Sequence, residues 1–473
     1  MMTRLIKILA SLKFAVFTIL AIAGMSAWGT FVEADLDASA AQKLVYHSPL
    51  MYVILAILSM NLIAVMVDRW PWKEKHTGFL LAHVGILILL AGSLVTRYVG
   101  LDGSISMGIG EVGKNIVSTE TDLTLYSSLD GTAYTKVDDR EVDFFLRPPT
   151  PEKPFEVNIP VGTLKIIGYI PYAFRDAKIV EDPEKQGGAS VRFQLQNANV
   201  NMTEWLSQKA PGNDAIRDLG PAQVVLAGVN NPFSPAGRNT VLLRPKGDEI
   251  SYEIHTARDP KNVRRGVAKA GDTIETGWMG LGLRLLKYVP SSKEEVKYKA
   301  SARPTPLTVP AIEFDYNGKR DFLAMNAFLK LYSAAAVYIL SYANRRIPLA
   351  KYASGLELKL LDFKVGRYQG TTRAASYESR VLVPEMGEVT ISMNEPLYHK
   401  GLTFYQSSFD SDESGRPTLS VLSVNQDPGR WVKYLGSLLI VLGSIHLFYF
   451  KRKVARQAAA KAAAEPSTSR GVG

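Results

Sequence analysis

The sequence predicts a membrane protein with four transmembrane α-helices, three N-terminal and one C-terminal, and a large β-rich extracytoplasmic domain. Three observations predict it. Hydrophobic residues make up 47% of the 473, and their longest runs lie at the two ends of the chain. Basic side chains cluster beside alternate ends of those runs. Between the terminal regions, residues 98–430 alternate apolar and polar side chains and are densely punctuated by Gly and Pro.

The N-terminal runs, residues 14–31, 50–67 and 78–96, each hold roughly the 17–20 residues that cross a hydrocarbon core of about 30 Å. A fourth run covers residues 431–450, and a basic tail, residues 451–473, follows. The first run also reads as a cleaved signal peptide, with small residues around Gly24–Ala27. Cleavage would leave the later segments in place.

Charge assigns the sides. Arg4, Lys7 and Lys13 precede the first run; Arg69, Lys73 and Lys75 lie between the second and third; Lys451, Arg452, Lys453 and Arg456 follow the fourth. All three clusters fall on one face, expected to be the cytoplasmic face of a bacterial inner membrane, with both termini on that side. Of the net charge of +10, residues 1–96 contribute seven basic and five acidic groups, and residues 431–473 seven and one. The basic balance therefore reports topology, and nucleic acid is not an expected partner.

Residues 98–430 are expected to form a sandwich or open barrel of antiparallel strands, with a division into two lobes near Pro304–Pro310. Ser190–Gln196 and Gly355–Leu360 alternate strictly, and Leu361–Val365 resumes one residue out of phase, so Leu360-Leu361 predicts a bulge. Phe322–Tyr342 is nearly long enough to span a bilayer, but a fifth span would reverse the charge parity. It is read as a buried or membrane-skimming helix or strand pair. The tail beyond Arg452 is expected to fray. With no cysteine, the domain relies on its own core and cannot bind haem through thiols.

Motifs for phosphate binding, the nucleophile elbow, zinc proteases and C-x-x-C-H are absent, so no catalytic residue is assigned. The histidines carry more information. His255 lies in a strand-like stretch and His399 in a turn, while His47 opens the second span; each has an ordinary reading. His76, His83 and His446 all fall toward the basic side. His83 is five residues beyond Gly78, roughly 8 Å along the helix, and His446 is four residues before Phe450, at a similar depth. His76 and His83, seven apart, would share a helix face. His83 is either a neutral imidazole satisfied by a neighbouring helix or a ligand, imidazole being a standard axial ligand of haem iron. The residues alone leave both open.

The chain resembles the ResB family, the membrane subunit of the System II machinery for cytochrome c assembly. The elements carrying the resemblance are Gly29-Thr30, Asn61-Leu62 with Arg69 and Pro71, Asp102-Gly-Ser104 with Gly110-Glu111, and above all Asn394-Glu395-Pro396-Leu397 continuing through Gly401 to Tyr405-Gln406. Read without the resemblance, the last is a hairpin: Val389–Met393, a turn through Pro396 and Gly401, then Leu402–Tyr405. Glu33 and Val65 depart from the family pattern without touching a proposed ligand.

The resemblance implies a role in moving haem b, in transit, across the membrane to an exported apocytochrome c. His83 matches the family's third-span histidine. It also implies a ResC/CcsA-type partner, because Trp28, Trp70, Trp72, Trp205, Trp278 and Trp431 form no tryptophan-rich haem motif. Trp70-Pro71-Trp72 reads as an interfacial anchor. Two other readings remain: a self-contained cytochrome b type protein pairing His83 with His446 or His76, and a membrane-anchored β scaffold.

Overall fold

A computed structural model of the protein describes residues 2–235, 237–371, 373–412 and 416–464. The chain forms two compact units, Met1–Tyr172 with Ala302–Gly473, and Ala173–Ser301. One break falls between Ser301 and Ala302. The other lies inside the single strand Gly162–Glu181, which no composition signal marks.

The first unit begins with α1 (Met2–Leu9), α2 (Leu12–Asp35), the short α3 (Ala38–Ala41), α4 (Pro49–Asp68) and α5 (Thr77–Val99), and ends with α6 (Arg430–Ala464). Four helical segments, Leu12–Asp35, Pro49–Asp68, Glu74–Val99 and Arg430–Phe450, are long and apolar enough to cross a membrane. Their boundaries follow cap chemistry. The hydroxyls of Ser11 and Ser48 accept from the backbone N–H groups of Phe14 and Met51, and Pro49 occupies the first turn of α4. The tail does not fray at Arg452: α6 continues to Ala464, because Ala, Lys, Arg and Gln are strong helix formers once the apolar run has nucleated the helix. Residues 465–473 lie outside the described residues.

Two family-like positions are packing positions. Gly29 lies under Tyr46, whose ring carbon Cζ would sit 2.5 Å from any added Cβ. Asn61, 3% exposed, donates its side-chain amide to the Leu9 carbonyl, so a polar residue within α4 is satisfied by α1.

The closest helix contact is between α5 and α6. Gly78, Gly85 and Gly92 on α5 meet Gly443, Gly436 and Gly429 in reverse order, each set spaced by seven residues. Only hydrogen at these Cα atoms lets the backbones approach: a Cβ on Gly85 would lie 2.7 Å from the Gly436 carbonyl oxygen, and one on Gly436 2.6 Å from that of Gly85.

This helix pair runs directly into strand pairing. Leu101–Gly108 follows α5 and pairs antiparallel with Pro417–Gln426, which precedes α6, and Leu101 is the cross-strand partner of Gln426. At the seam Thr96 Oγ1 donates to Asp427 Oδ1 at 2.6 Å and Lys433 Nζ to Asp427 Oδ2 at 2.7 Å. The loop after α2 is tied down separately: Lys43 pairs with Asp143 at 2.9 Å and the Tyr172 hydroxyl donates to Asp37 at 3.0 Å.

Among the described residues the β part of this unit holds an eight-stranded sheet in the order Ala327–Tyr332, Val337–Pro348, Asn115–Ser128, Leu101–Gly108, Pro417–Gln426, Leu402–Ser411, Leu397–His399, with Thr135–Val142 added on Asn115–Ser128. A four-stranded sheet, Val112–Gly113, Leu358–Arg367, Ala374–Val383 and Gly387–Ser392, packs on it through Ile105, Met107, Leu360, Val381, Phe404 and Val424. A second core joins Leu125, Leu340 and Tyr342 to Leu164, Ile166 and Phe314.

Phe322–Tyr342 resolves as strand, with Ala327–Tyr332 paired to Val337–Pro348 and the polar residues Asn326 and Ser333 at the turns. The helix reading is thereby set aside and the segment is a strand pair. The bulge at Leu361 is present, the register shifting between Leu360 and Asp362.

The second unit is also a sandwich. Its sheets are Thr273–Glu275, Gly282–Val289, Ser190–Gln196, Asn201–Ser207, and Asp259–Ala268, Glu249–Thr256, Asn239–Lys246, Ala222–Leu226, Ala215–Asp218. They enclose Val191, Phe193, Leu195, Val241, Leu243 and Leu285. Against the antiparallel expectation, Ala222–Leu226 pairs parallel with Asn239–Lys246.

Candidate functional site

The site is built on the first turns of α5. Phe79 and His83 are four residues apart, so their side chains lie on one helix face, and their ring centroids are 3.9 Å apart. His83 Nδ1 lies 2.9 Å from the Phe79 carbonyl oxygen. A carbonyl only accepts, so that nitrogen carries the proton in the neutral ring, and the lone pair is left on Nε2. No described residue hydrogen-bonds that second nitrogen, and the ring is half-buried. The geometry combines the two readings of the histidine: one nitrogen is satisfied by backbone, and the other keeps a free donor pair.

The α4 to α5 turn completes the surroundings. The Arg69 guanidinium stands 3.9 Å over the Phe79 ring, and Trp72 Nε1 donates to the Met66 carbonyl at 2.8 Å, fixing the aromatic pair Trp70 and Trp72 at this end of the helices. No sequence pattern points to the stacking of Arg69 on Phe79. The i, i+4 spacing of Phe79 and His83 was available as a signal; the arginine contact depends on how the turn folds.

The other histidines are not brought to this place. His446 packs over Gly78, where a Cβ would lie 2.9 Å from its Nδ1, and its ring stacks on Phe450 at 5.9 Å. His83 precedes Gly85 by two residues, so at about 100° per residue it lies on the side of α5 away from the glycine face that meets α6. His446 is thus level with Gly78, not with His83, and on a different side of the helix. The expected level pairing fails because glycine contact, not depth, sets the register of α5 against α6. His76 belongs to the turn Glu74–His76 that opens the span; its Nδ1 accepts from the Lys73 N–H at 3.3 Å, so its ring serves the turn.

His47, His255 and His399 lie outside this region. Burial, followed by the charge of Arg97, holds His47 below its ordinary pKa. His255 lies 3.2 Å from Glu253, and His399 lies 3.8 Å from Glu385.

The strongest family-like stretch divides by environment. Val389–Met393 does not pair with Leu402–Tyr405: Gly387–Ser392 joins Ala374–Val383 in the smaller sheet. The hairpin is the shorter Leu397–His399 with Leu402–Phe404, turning through Lys400 and Gly401, both with positive φ. The expected hairpin is overturned because Asn394-Glu395-Pro396 carries the chain from one sheet to the other. Asn394 and Glu395 are exposed and the side chain of Leu397 is buried. Tyr405 is half-buried, while Gln406 is 7% exposed and sits between the sheets. There Ser379 Oγ donates to Gln406 Oε1 at 2.6 Å, Gln406 Nε2 donates to Ser420 Oγ at 3.2 Å, and the two hydroxyls are 2.6 Å apart. This is a satisfied polar network in an apolar core, a structural role.

Fold and site together define a class: a β-sandwich protein with four helices suited to crossing a membrane, in which His83 on α5 keeps Nε2 and His446 on α6 keeps a buried Nδ1 without a hydrogen-bond partner. Residues 336–420 match the sequence model of the ResB-like family, from the strand Val337–Pro348 through the motif around Asn394. Over 109 residues, 22% of this chain, the sequence is 38% identical to the protein NrfI of Wolinella succinogenes, and that stretch covers 11% of NrfI. His83 lies outside the residues that the family model matches, and the matched stretch spans about a tenth of that relative.

Proposed function

We propose that this protein takes part in cytochrome c biogenesis as the System II subunit that receives haem b in the membrane and, with a ResC/CcsA-type membrane partner, supports its delivery to exported apocytochrome c. The observation that carries the reading is the state of His83: its Nδ1 hydrogen is committed to the Phe79 carbonyl, which leaves Nε2 as a neutral imidazole donor suited to haem iron. Haem is cargo here, bound and released. The chain's own residues orient the imidazole and supply the aromatic face of Phe79 beside it.

The histidine lies near the turn bearing Arg69, Lys73 and Lys75, which the charge distribution assigns to the cytoplasm, so haem would enter from that side. The second axial ligand is best supplied by the partner, since His446 faces a different side of α5. By the same charge argument the β-rich residues 98–430 would lie on the opposite side, where they would hold the partner or the apocytochrome. This arrangement also weighs against a self-contained protein pairing His83 with His446.

The test is co-expression with a tryptophan-rich membrane partner, followed by purification and visible spectroscopy. Haem is expected in the wild-type complex with a low-spin axial-histidine spectrum, and His83→Ala should remove that spectrum while His446→Ala keeps it. Retention of the spectrum and of cytochrome c maturation in His83→Ala would leave only the scaffold reading.

A further inference from the structure

Iron is only one recognition element of haem b; its propionate edge carries two carboxylates. Beside the imidazole the structure holds a cation placed by an aromatic ring. Arg69 caps the end of α4, and its guanidinium lies 3.9 Å over Phe79, whose ring is in turn 3.9 Å from His83. Within 4.0 Å no carboxylate of a described residue pairs with it, although Asp68 is its chain neighbour and Glu74 lies in the same turn. The other cations of that turn are Lys73 and Lys75, both exposed.

Arg69 is exposed, so its guanidinium is open to a ligand, and its stacking on Phe79 holds it beside His83. Guanidinium is also the group best suited to a carboxylate, because its planar fork gives two parallel hydrogen bonds. We propose that Arg69 is a specificity-determining residue of the site: stacked on Phe79, it receives a propionate of the porphyrin while His83 Nε2 faces the iron. The proposal rests on the haem reading above. It adds that the site distinguishes a dicarboxylate porphyrin from a neutral one, and that Phe79 positions both recognition groups.

The experiment uses the full chain in detergent with its membrane partner. Iron protoporphyrin IX and its dimethyl ester are titrated into wild type, Arg69→Gln, Arg69→Lys, Phe79→Leu and His83→Ala. A charge-assisted pair implies that wild type prefers the diacid by roughly ten- to hundred-fold. Arg69→Gln should abolish that preference by weakening diacid binding while leaving ester affinity unchanged, and Arg69→Lys should restore part of it. Phe79→Leu should reduce the preference through misplacement of the guanidinium. His83→Ala should weaken both ligands and remove the axial-histidine spectrum. If His83→Ala has no effect on either ligand, the haem reading itself fails. If His83→Ala acts as expected but wild type does not distinguish acid from ester, or Arg69→Gln weakens both equally, the assignment of Arg69 is overturned and the haem reading survives.

Discussion

Placing a methyl group at Gly85 tests the contact on which the helix pair is built. A Cβ there would meet the Gly436 carbonyl oxygen at 2.7 Å and both Ile440 Cγ1 and the Ile440 nitrogen at 2.9 Å. Two of those three atoms are backbone, so no rotamer change relieves the clash and the helices must part. A separation of 0.5–1 Å forfeits about a quarter to a half of each dispersion contact along the seam. Overpacking a tight core costs about 1–3 kcal/mol, and Gly85→Ala is expected within that range. Gly436→Ala should cost a similar amount, because its Cβ meets the Gly85 oxygen at 2.6 Å and the Leu89 nitrogen at 2.7 Å. The two glycines face each other, so the double substitution should cost clearly less than the sum: helices already parted by the first methyl make room for the second. Gly24→Ala is the control. Nothing lies within 4 Å of its Cβ position, and alanine should raise helix stability there by up to about 1 kcal/mol. Thermal unfolding of the full chain in micelles, read by circular dichroism, gives all four values. Were Gly85→Ala as harmless as Gly24→Ala, the close approach of α5 and α6 would be wrong.

Two further expectations follow from groups described above. For Asp427, burial pushes its pKa up, but hydrogen bonds from Lys433 and Thr96 and the charge of Arg430 outweigh it, so the folded value lies below the ordinary 3.8. A depressed carboxylate stabilises the fold above its unfolded pKa near 4, and that stability is lost as pH falls through the folded value. Asp427→Asn should therefore cost about 1–3 kcal/mol at pH 7 and flatten the wild-type decline below about pH 5, measured as melting temperature against pH; parallel curves for the two proteins would refute the pairing. In the motif stretch, Gln406→Leu should destabilise by about 1–3 kcal/mol because it strips partners from the buried hydroxyls of Ser379 and Ser420, whereas exposed Asn394→Ala should stay within about 0.5 kcal/mol. Chemical denaturation of the two variants separates them, and equal effects would contradict the environments assigned.

Hydropathy located the long apolar helices well, since a run such as residues 50–67 needs only length and composition to be recognised and the observed α4 is Pro49–Asp68. It missed what hydropathy does not measure. The continuation of α6 through its basic stretch depends on helix propensity, and α1 is a short helix that carries Arg4 and Lys7. The seven-residue spacing of Gly78, Gly85 and Gly92, answered by Gly429, Gly436 and Gly443, was present in the sequence and would have shown that His83 and His446 do not face each other. Strand periodicity recovered Ser190–Gln196 and the bulge at Leu361 because both are local patterns. Pairing is not local: the partner of Gly387–Ser392 is set by which sheet the chain enters after Ser392, and alternation is the same in either sheet. At the candidate site the identity of His83 was legible, but the proton on its Nδ1 and the guanidinium over Phe79 were not, since both need the coordinates of a helix turn and an interhelical loop.

The pairing of Leu101 with Gln426 means that the chain leaves α5 and returns to α6 at adjacent points. Topologically, residues 101–426 are a cargo inserted at the bend of a helical hairpin. The same construction recurs within it, because Ala173 and Ala300, at the two ends of the second unit, are also cross-strand partners. Paired residues of antiparallel strands lie about 4.5–5.5 Å apart, a gap that a tight turn closes. The protein is therefore nested, one module within another, and each inner level has a natural excision point. Such an architecture can gain, lose or exchange its inner module without redesigning the helices that would cross the bilayer.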